Sequence, residues 1–197
     1  MPLNLEAALK IKGLMETWEI EAIAKLAQGH RRILEIGSFT GRSTVALADN
    51  SDGFVIACDD FWGPRDSIYT WKDRQEIYKT FLENVGERVA PKICRHCSKP
   101  NQKIVIWKIN HAEMTPHGLY ELLGEDNAKL DMIFVDGAHD YESVKRDIQF
   151  SLSVLAPGGL LCGHDFGLHA PDVLRAVSEF FKADVKVDVG AIWSKTI

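Results

Sequence analysis

From Arg32 onward the chain alternates short apolar runs with longer amphipathic stretches, and this rhythm restricts the possible folds more than any other feature. The runs Arg32–Ile36, Phe54–Cys58, Lys103–Ile109, Leu130–Val135 and Leu160–Gly163 have the length and β-branched content of buried strands. Between them lie segments with helical spacing. Residues 74–85 place Ile77, Phe81, Leu82 and Val85 on one face, and Tyr141–Leu155 does the same with Val144, Ile148 and Leu152 before Pro157-Gly158-Gly159 breaks it. Ser43–Ala48 begins another helix, and Pro171–Lys182 starts with a proline suited to a first turn. Strand–helix alternation implies βαβ units and a parallel, doubly wound sheet. Val185–Val189 and Ala191–Ser194 have only Gly190 between them, too little for a helical crossover, so they are expected as antiparallel neighbours. The predicted architecture is a seven-stranded α/β sheet, mostly parallel with an antiparallel terminal strand. Residues 1–30 precede it as a helical segment. In it Thr17 is read as an N-cap, Gly29 as a stop, and Ile20, Ile23, Ala24 and Ala27 as the buried face. The domain proper is expected over 31–197.

At 197 residues the chain suffices for one well-buried domain, not for two ordinary ones. A net charge of −5 argues against nucleic acid as partner, because a general phosphate grip needs clustered Lys and Arg. No apolar stretch approaches a membrane span, and the N-terminus shows no secretory pattern, so no membrane partner and a cytoplasmic location are expected. Cys58 and Cys162 lie inside strand runs and read as small core residues. Cys94-Arg95-His96-Cys97 has no second ligand pair downstream, which favours a surface loop over a zinc site. Homo-oligomerisation is left open by the sequence.

Two strand runs end on groups that carry chemistry. Leu130–Val135 runs into Asp136 and, three residues later, His139; Leu160–Gly163 runs into His164-Asp165. Strand ends are where open α/β sheets hold ligands. The first strand leads into Gly37-Ser38-Phe39-Thr40-Gly41-Arg42-Ser43, a glycine turn opening a helix. Gly37 suits the tight turn, and Gly41 suits close approach of backbone to a ligand. The second strand ends at Asp59-Asp60, 22 residues beyond Gly37, where an acid is placed to accept both hydroxyls of a ribose diol. Only one of the two aspartates faces that way, and Asp59 directly follows the apolar run.

The stretch Glu35-Ile36-Gly37-Ser38-Phe39-Thr40-Gly41-Arg42-Ser43 resembles the first motif of class I S-adenosylmethionine-dependent methyltransferases. Val135-Asp136-Gly137-Ala138-His139-Asp140-Tyr141, followed by Pro157-Gly158-Gly159 and Gly163-His164-Asp165, is similar to the branch with a DGxHxY motif, related to the catechol- and caffeoyl-CoA-type O-methyltransferases. The resemblance covers about residues 30–180. It implies a Rossmann-like fold and bound S-adenosyl-L-methionine, with Glu35, Gly37, Ser38, Gly41, Ser43, Asp59 and Asp136 at the cofactor and His111–Glu113 bordering the adenine. It also implies methyl transfer to a hydroxyl of a small-molecule acceptor.

In catechol-type enzymes a metal is held by an acid ending the fourth strand and two ligands ending the fifth. By that resemblance the ligands here are Asp136, His164 and Asp165, and His139 takes the offset of the catalytic base. An imidazole in the set suits manganese better than magnesium, so the choice of ion stays open. Simpler readings stand beside these. Asp140 or His139 serves as an N-cap for the helix at Tyr141, and His164-Asp165 forms a hydrogen-bonded pair. Phe61, Trp62, Tyr69 and Trp71 either cover a flat ligand or pack into the core. Two other functional classes are a non-catalytic cofactor-binding domain and a nicotinamide-dependent oxidoreductase; the G-x-x-x-G spacing counts against the latter.

Overall fold

The computed structural model describes residues 2–63, 71–90, 102–124 and 129–197, the side chains of 71–74 excepted. Cys94, His96, Cys97 and Tyr69, and the side chain of Trp71, lie outside the described residues.

Seven strands form one sheet: β1 (Arg32–Ile36), β2 (Phe54–Asp59), β3 (Ile104–Lys108), β4 (Leu130–Val135), β5 (Leu155–Gly163), β6 (Lys186–Val189) and β7 (Ile192–Thr196). Their order is β3-β2-β1-β4-β5-β7-β6. The first five pair in parallel, while β7 runs antiparallel to both β5 and β6. The expected doubly wound sheet is present. The final hairpin folds back so that β7 enters between β5 and β6, leaving β6 at the edge.

The helices are α1 (Glu6–Lys10), α2 (Thr17–Ala27), α3 (Arg42–Asn50), α4 (Trp71–Val85), α5 (Pro116–Leu123), α6 (Tyr141–Val154) and α7 (Pro171–Phe181). Strand side chains alternate between two cores. Ile33, Val55, Ala57, Met132, Phe134 and Ile192 meet the layer formed by α1 to α4. Leu34, Ile36, Ile56, Ile133, Leu161 and Trp193 meet α5 to α7 on the other face. The period-2 pattern of strands buried on both faces accounts for the near-continuous apolar runs.

Several local outcomes differ from the sequence expectation. Helix α2 is capped by Glu16 rather than Thr17, in a box whose reciprocal partner is Glu19. Helix α5 has no expected counterpart, although Thr115 caps it, Pro116 opens it and Gly124 closes it in the left-handed region. Strand β5 begins at Leu155, and Pro157-Gly158-Gly159 forms an irregularity within it: the register jumps from Leu130↔Leu155 to Met132↔Leu160. There Gly158 donates to the carbonyl of Ile197 and Gly159 accepts from its amide, so the chain terminus satisfies the detour.

The order in which strands are added reverses at β1 and β4, parallel neighbours whose following helices pack on opposite faces. A crevice at such a switch point is the natural ligand site of an open α/β sheet. Here its floor is very tight. Gly37 adopts φ +92°, and a Cβ on it would sit 2.0 Å from the Asp136 carbonyl oxygen. Only glycine permits this joining of the two strand ends.

Candidate active site at the strand ends

On the β1 side, Glu35 is fully buried beneath the glycine turn. Its Oε2 accepts hydrogen bonds from Ser38 (2.7 Å) and from Thr44, while Oε1 is buried without a partner. Burial pushes its carboxyl up to about 7, against the pull of the nearby Ser43, Thr44 and Ser38 hydroxyls. Gly41 caps α3 at φ +90°, and what approaches it is protein: an added Cβ would lie 3.1 Å from Phe81 and Val85 of α4. The expected closeness to a ligand at Gly41 is therefore joined by a packing reason for the glycine.

Asp59 ends β2 and acts as a hub. One carboxylate oxygen accepts from the Phe39 amide at 2.8 Å and the other from the Phe61 amide at 2.5 Å. Both phenylalanines have positive φ, 45° and 58°, a costly conformation for bulky residues. The carboxylate ties both strained turns to the strand end. Each oxygen keeps a second lone pair, so a ribose diol remains compatible with these bonds. Asp60 is turned away to accept from the Trp62 amide. Of the aromatic residues, Phe61 packs in the core against Tyr78 and Phe81, with ring centroids 4.7 and 4.8 Å apart, and Trp62 is half exposed.

On the β4–β5 side, Asp136, His139 and Asp165 bring one ligand atom each to within 4.8 Å of one another. Two oxygens and one nitrogen so placed are donors that could hold a divalent ion. His139 Nε2 lies 3.0 Å from Asp165 Oδ2, and its ring is half exposed. Burial would raise the Asp165 carboxyl, but His139 and His164 outweigh it and hold it well below the usual carboxylate range. Burial drives Asp136 the other way, up to about 7. Asp165 itself stands at φ +61°, a strained position of the kind found where a side chain must be aimed.

His164 Nδ1 faces the two carboxylates with which it was expected to share an ion, Asp165 at 3.1 Å and Asp136 at 3.6 Å, and its Nε2 faces Glu19 of α2 at 3.1 Å, an ion pair without hydrogen-bond alignment. His139 approaches the same carboxylates from the other side. Burial pulls the His164 imidazole down, yet Asp165, Asp136 and Glu19 outweigh that and raise it to about 9.

An open depression joins these groups. Asp136, His139, His164 and Asp165 form its polar side; Val144, Val173 and Trp193 form its apolar side. Trp193 is 1% exposed, and its Nε1 is buried without a hydrogen-bond partner.

The remaining motif residues have structural explanations. Asp140 caps α6 by accepting from the Ser143 amide. Tyr141 binds α6 to α7 through Glu179 (2.5 Å) and a stacked Arg175. Asp147 is fully buried and holds His111 Nδ1 at 3.0 Å, anchoring the turn after β3. His111 thus turns toward α6. Sequence reasoning missed Glu19 and His169, which lies 3.1 Å from Asp165. Only Glu19 had a signal, its place three residues after Glu16 in a capping box.

This fold, with a glycine turn at the switch point and acids ending β2, β4 and β5, defines a class I methyltransferase. The chain belongs to the family described as "Methyltransferase domain", whose model matches residues 34–166. No curated protein matches it significantly. Among solved structures it is similar to an O-methyltransferase from Bacillus cereus in complex with SAH, at 18% identity and TM-score 0.60, covering 100% of this chain and 93% of that one. It is also similar to the O-methyltransferase TomG from Streptomyces achromogenes in complex with SAM (16%, TM-score 0.59, 98% and 86%). A third similar structure is CalS11, a TDP-rhamnose 3'-O-methyltransferase (14%, TM-score 0.61, 91% and 77%).

Proposed function

We propose that the chain transfers a methyl group from S-adenosyl-L-methionine to a hydroxyl of a small molecule, at a site assisted by a divalent metal. The observation that carries this reading is the convergence of Asp136, His139 and Asp165 beside the switch-point crevice. The similar structures support the donor and the oxygen acceptor, since two are complexes with SAH or SAM and all three are O-methyltransferases by description.

The donor side fits what is present. Gly37 leaves room for the strands to close under the ligand, Glu35 offers a buried oxygen without a partner, and Asp59 retains lone pairs for the ribose. Gly41, Ser38 and Ser43 complete the turn. On the acceptor side Asp136, His139 and Asp165 would hold the ion, and manganese suits their mixed oxygen and nitrogen donors. When bound, it supplies charge that lowers the pKa of an acceptor hydroxyl.

For His139, ligand and base are alternative roles, because a nitrogen whose lone pair is given to an ion cannot accept a proton. As base, the ring at 3.0 Å from Asp165 is oriented by a carboxylate, and its exposure lets it exchange protons with solvent. In-line displacement at the donor methyl then needs the acceptor oxygen held beside Asp136, between the two halves of the crevice.

The test is turnover of S-adenosyl-L-methionine with a panel of catechols, flavonoids and sugar-bearing acceptors, before and after chelation and desalting, with manganese or magnesium restored. Methylated product that disappears on chelation and returns with manganese is the expected result. Product unaffected by chelation removes the metal from the reading. Binding of SAH without product from any acceptor would favour a cofactor-binding domain.

A further inference from the structure

Glu19 is a carboxylate 5% exposed, carried by a helix that precedes the matched family region. A buried charge is costly unless it is paired. Its Oε2 accepts from the Glu16 amide at 3.0 Å, which closes the first turn of α2. Its Oε1 points into the neighbouring strand ends, 3.1 Å from His164 Nε2. His164 Nδ1 then faces Asp165 Oδ2 at 3.1 Å, and the same oxygen lies 3.0 Å from His139 Nε2. The series Glu19, His164, Asp165, His139 runs without a gap from the helix to the candidate base.

The segment leading into α2 is held at its other end by the donor loop. Thr40 Oγ1 donates to the Lys12 carbonyl at 3.1 Å, and Arg42 Nη1 to the Gly13 carbonyl at 3.3 Å. Residues 12–19 therefore tie the glycine turn at β1 to the ligand cluster at β5. The terminal hairpin fits around this arrangement, for a Cβ on Gly190 would lie 3.0 Å from Glu19 Oε1 and 2.0 Å from the Trp18 ring.

We propose that Glu19 is a positioning residue of the acceptor site: through His164 it sets the aim of Asp165, and so the geometry in which Asp136, His139 and Asp165 converge. The proposal rests on the functional reading above for what that geometry does, but not for the ring contacts themselves. An imidazole with a carboxylate facing each nitrogen is restrained in its orientation, and partners that orient ligand-bearing groups typically change metal affinity by about 10–100-fold when removed.

A capping role alone would produce a different pattern, and Glu16 separates the two. Glu16→Ala removes the cap made by that side chain while leaving the Glu19–His164 contact in place. Glu19→Ala removes both cap and contact. Glu19→Gln keeps one acceptor where Glu19 uses two, so it can serve the cap or the ring but not both, and it removes the charge. Full-length variants are compared by thermal melting, by manganese(II) binding followed by electron paramagnetic resonance, by SAH binding, and by imidazole ¹H–¹⁵N nuclear magnetic resonance.

The expected result is that Glu16→Ala and Glu19→Ala both melt earlier, but only Glu19→Ala weakens manganese binding, by about tenfold or more. SAH affinity stays within about twofold, and Glu19→Gln, with one acceptor left, recovers only part of the loss. In Glu19→Ala the His164 and His139 ring signals both shift. Equal manganese loss in Glu16→Ala, or unchanged His164 and His139 signals in Glu19→Ala, overturns the proposal. If the wild-type chain binds no manganese, the metal reading fails separately, and the ring signals alone decide the role of Glu19.

Discussion

Glu35 illustrates how a single side chain under the donor loop trades stability for a binding group. It is fully buried, one of its oxygens has no partner, and its carboxyl is raised to about 7 from an ordinary value near 4.5. A carboxyl whose folded pKa is raised contributes stability that is complete below about 4.5 and lost as pH rises through about 7. Glu35→Gln removes that dependence while keeping an acceptor for Ser38 and Thr44. The variant should match wild type in urea unfolding at pH 4.5 and exceed it progressively up to pH 8, by up to ~3 kcal/mol. Its affinity for S-adenosyl-L-methionine should fall, because the unpaired oxygen is the group the proposed cationic donor would meet. A stability difference that does not change with pH would show that burial is not what raises this carboxyl.

At the scale of elements, the β6–β7 hairpin is shaped by what crosses it. Gly190 turns the chain at φ +58°, and its missing side chain makes room for Trp18 and Glu19 of α2. Gly190→Ala meets both the left-handed backbone cost and a clash, and should lower stability by ~1–3 kcal/mol in chemical denaturation. Trp18 is already 46% exposed, so the ring can swing outward, and a red shift of tryptophan emission should accompany the loss. A variant with wild-type stability and emission would mean that the hairpin yields instead. Strand β5 shows the same dependence on neighbours: a Cβ on Gly163 would lie 2.7 Å from Trp193 Nε1 and 2.6 Å from the Val135 carbonyl. The glycine before His164 makes room for the indole beside the strand ends.

For the whole molecule, residues 1–30 are continuous with one of the two cores rather than appended to it. Ile20, Ile23, Ala24 and Ala27 are fully buried in the cluster that contains α3 and one face of the sheet. Each such isoleucine contributes roughly 1.5–3 kcal/mol by leaving water, so their loss is a large share of a domain stability of about 5–15 kcal/mol. A chain beginning at residue 31 should be insoluble or bind the hydrophobic dye ANS strongly. A soluble 31–197 fragment with a cooperative melt would establish the segment as dispensable for folding.

Strand identities, the parallel order of the first half and the glycine turn were legible in the sequence because they depend on local periodicity and on backbone conformations that few residues tolerate. Gly37, Asp59, Asp136 and Asp165 were found as candidates for the same reason: strand ends can be read from where apolar runs stop. How each histidine meets the carboxylates could not be read that way. His139 and His164 both follow strand ends and both reach Asp165, and only the packing of α2 shows that the far nitrogen of His164 meets Glu19. The edge placement of β6, the tie between Asp147 and His111, and the link from Glu19 to Asp165 all join residues distant in the chain. Local propensity determined the elements; packing between distant segments decided which side chains face the site.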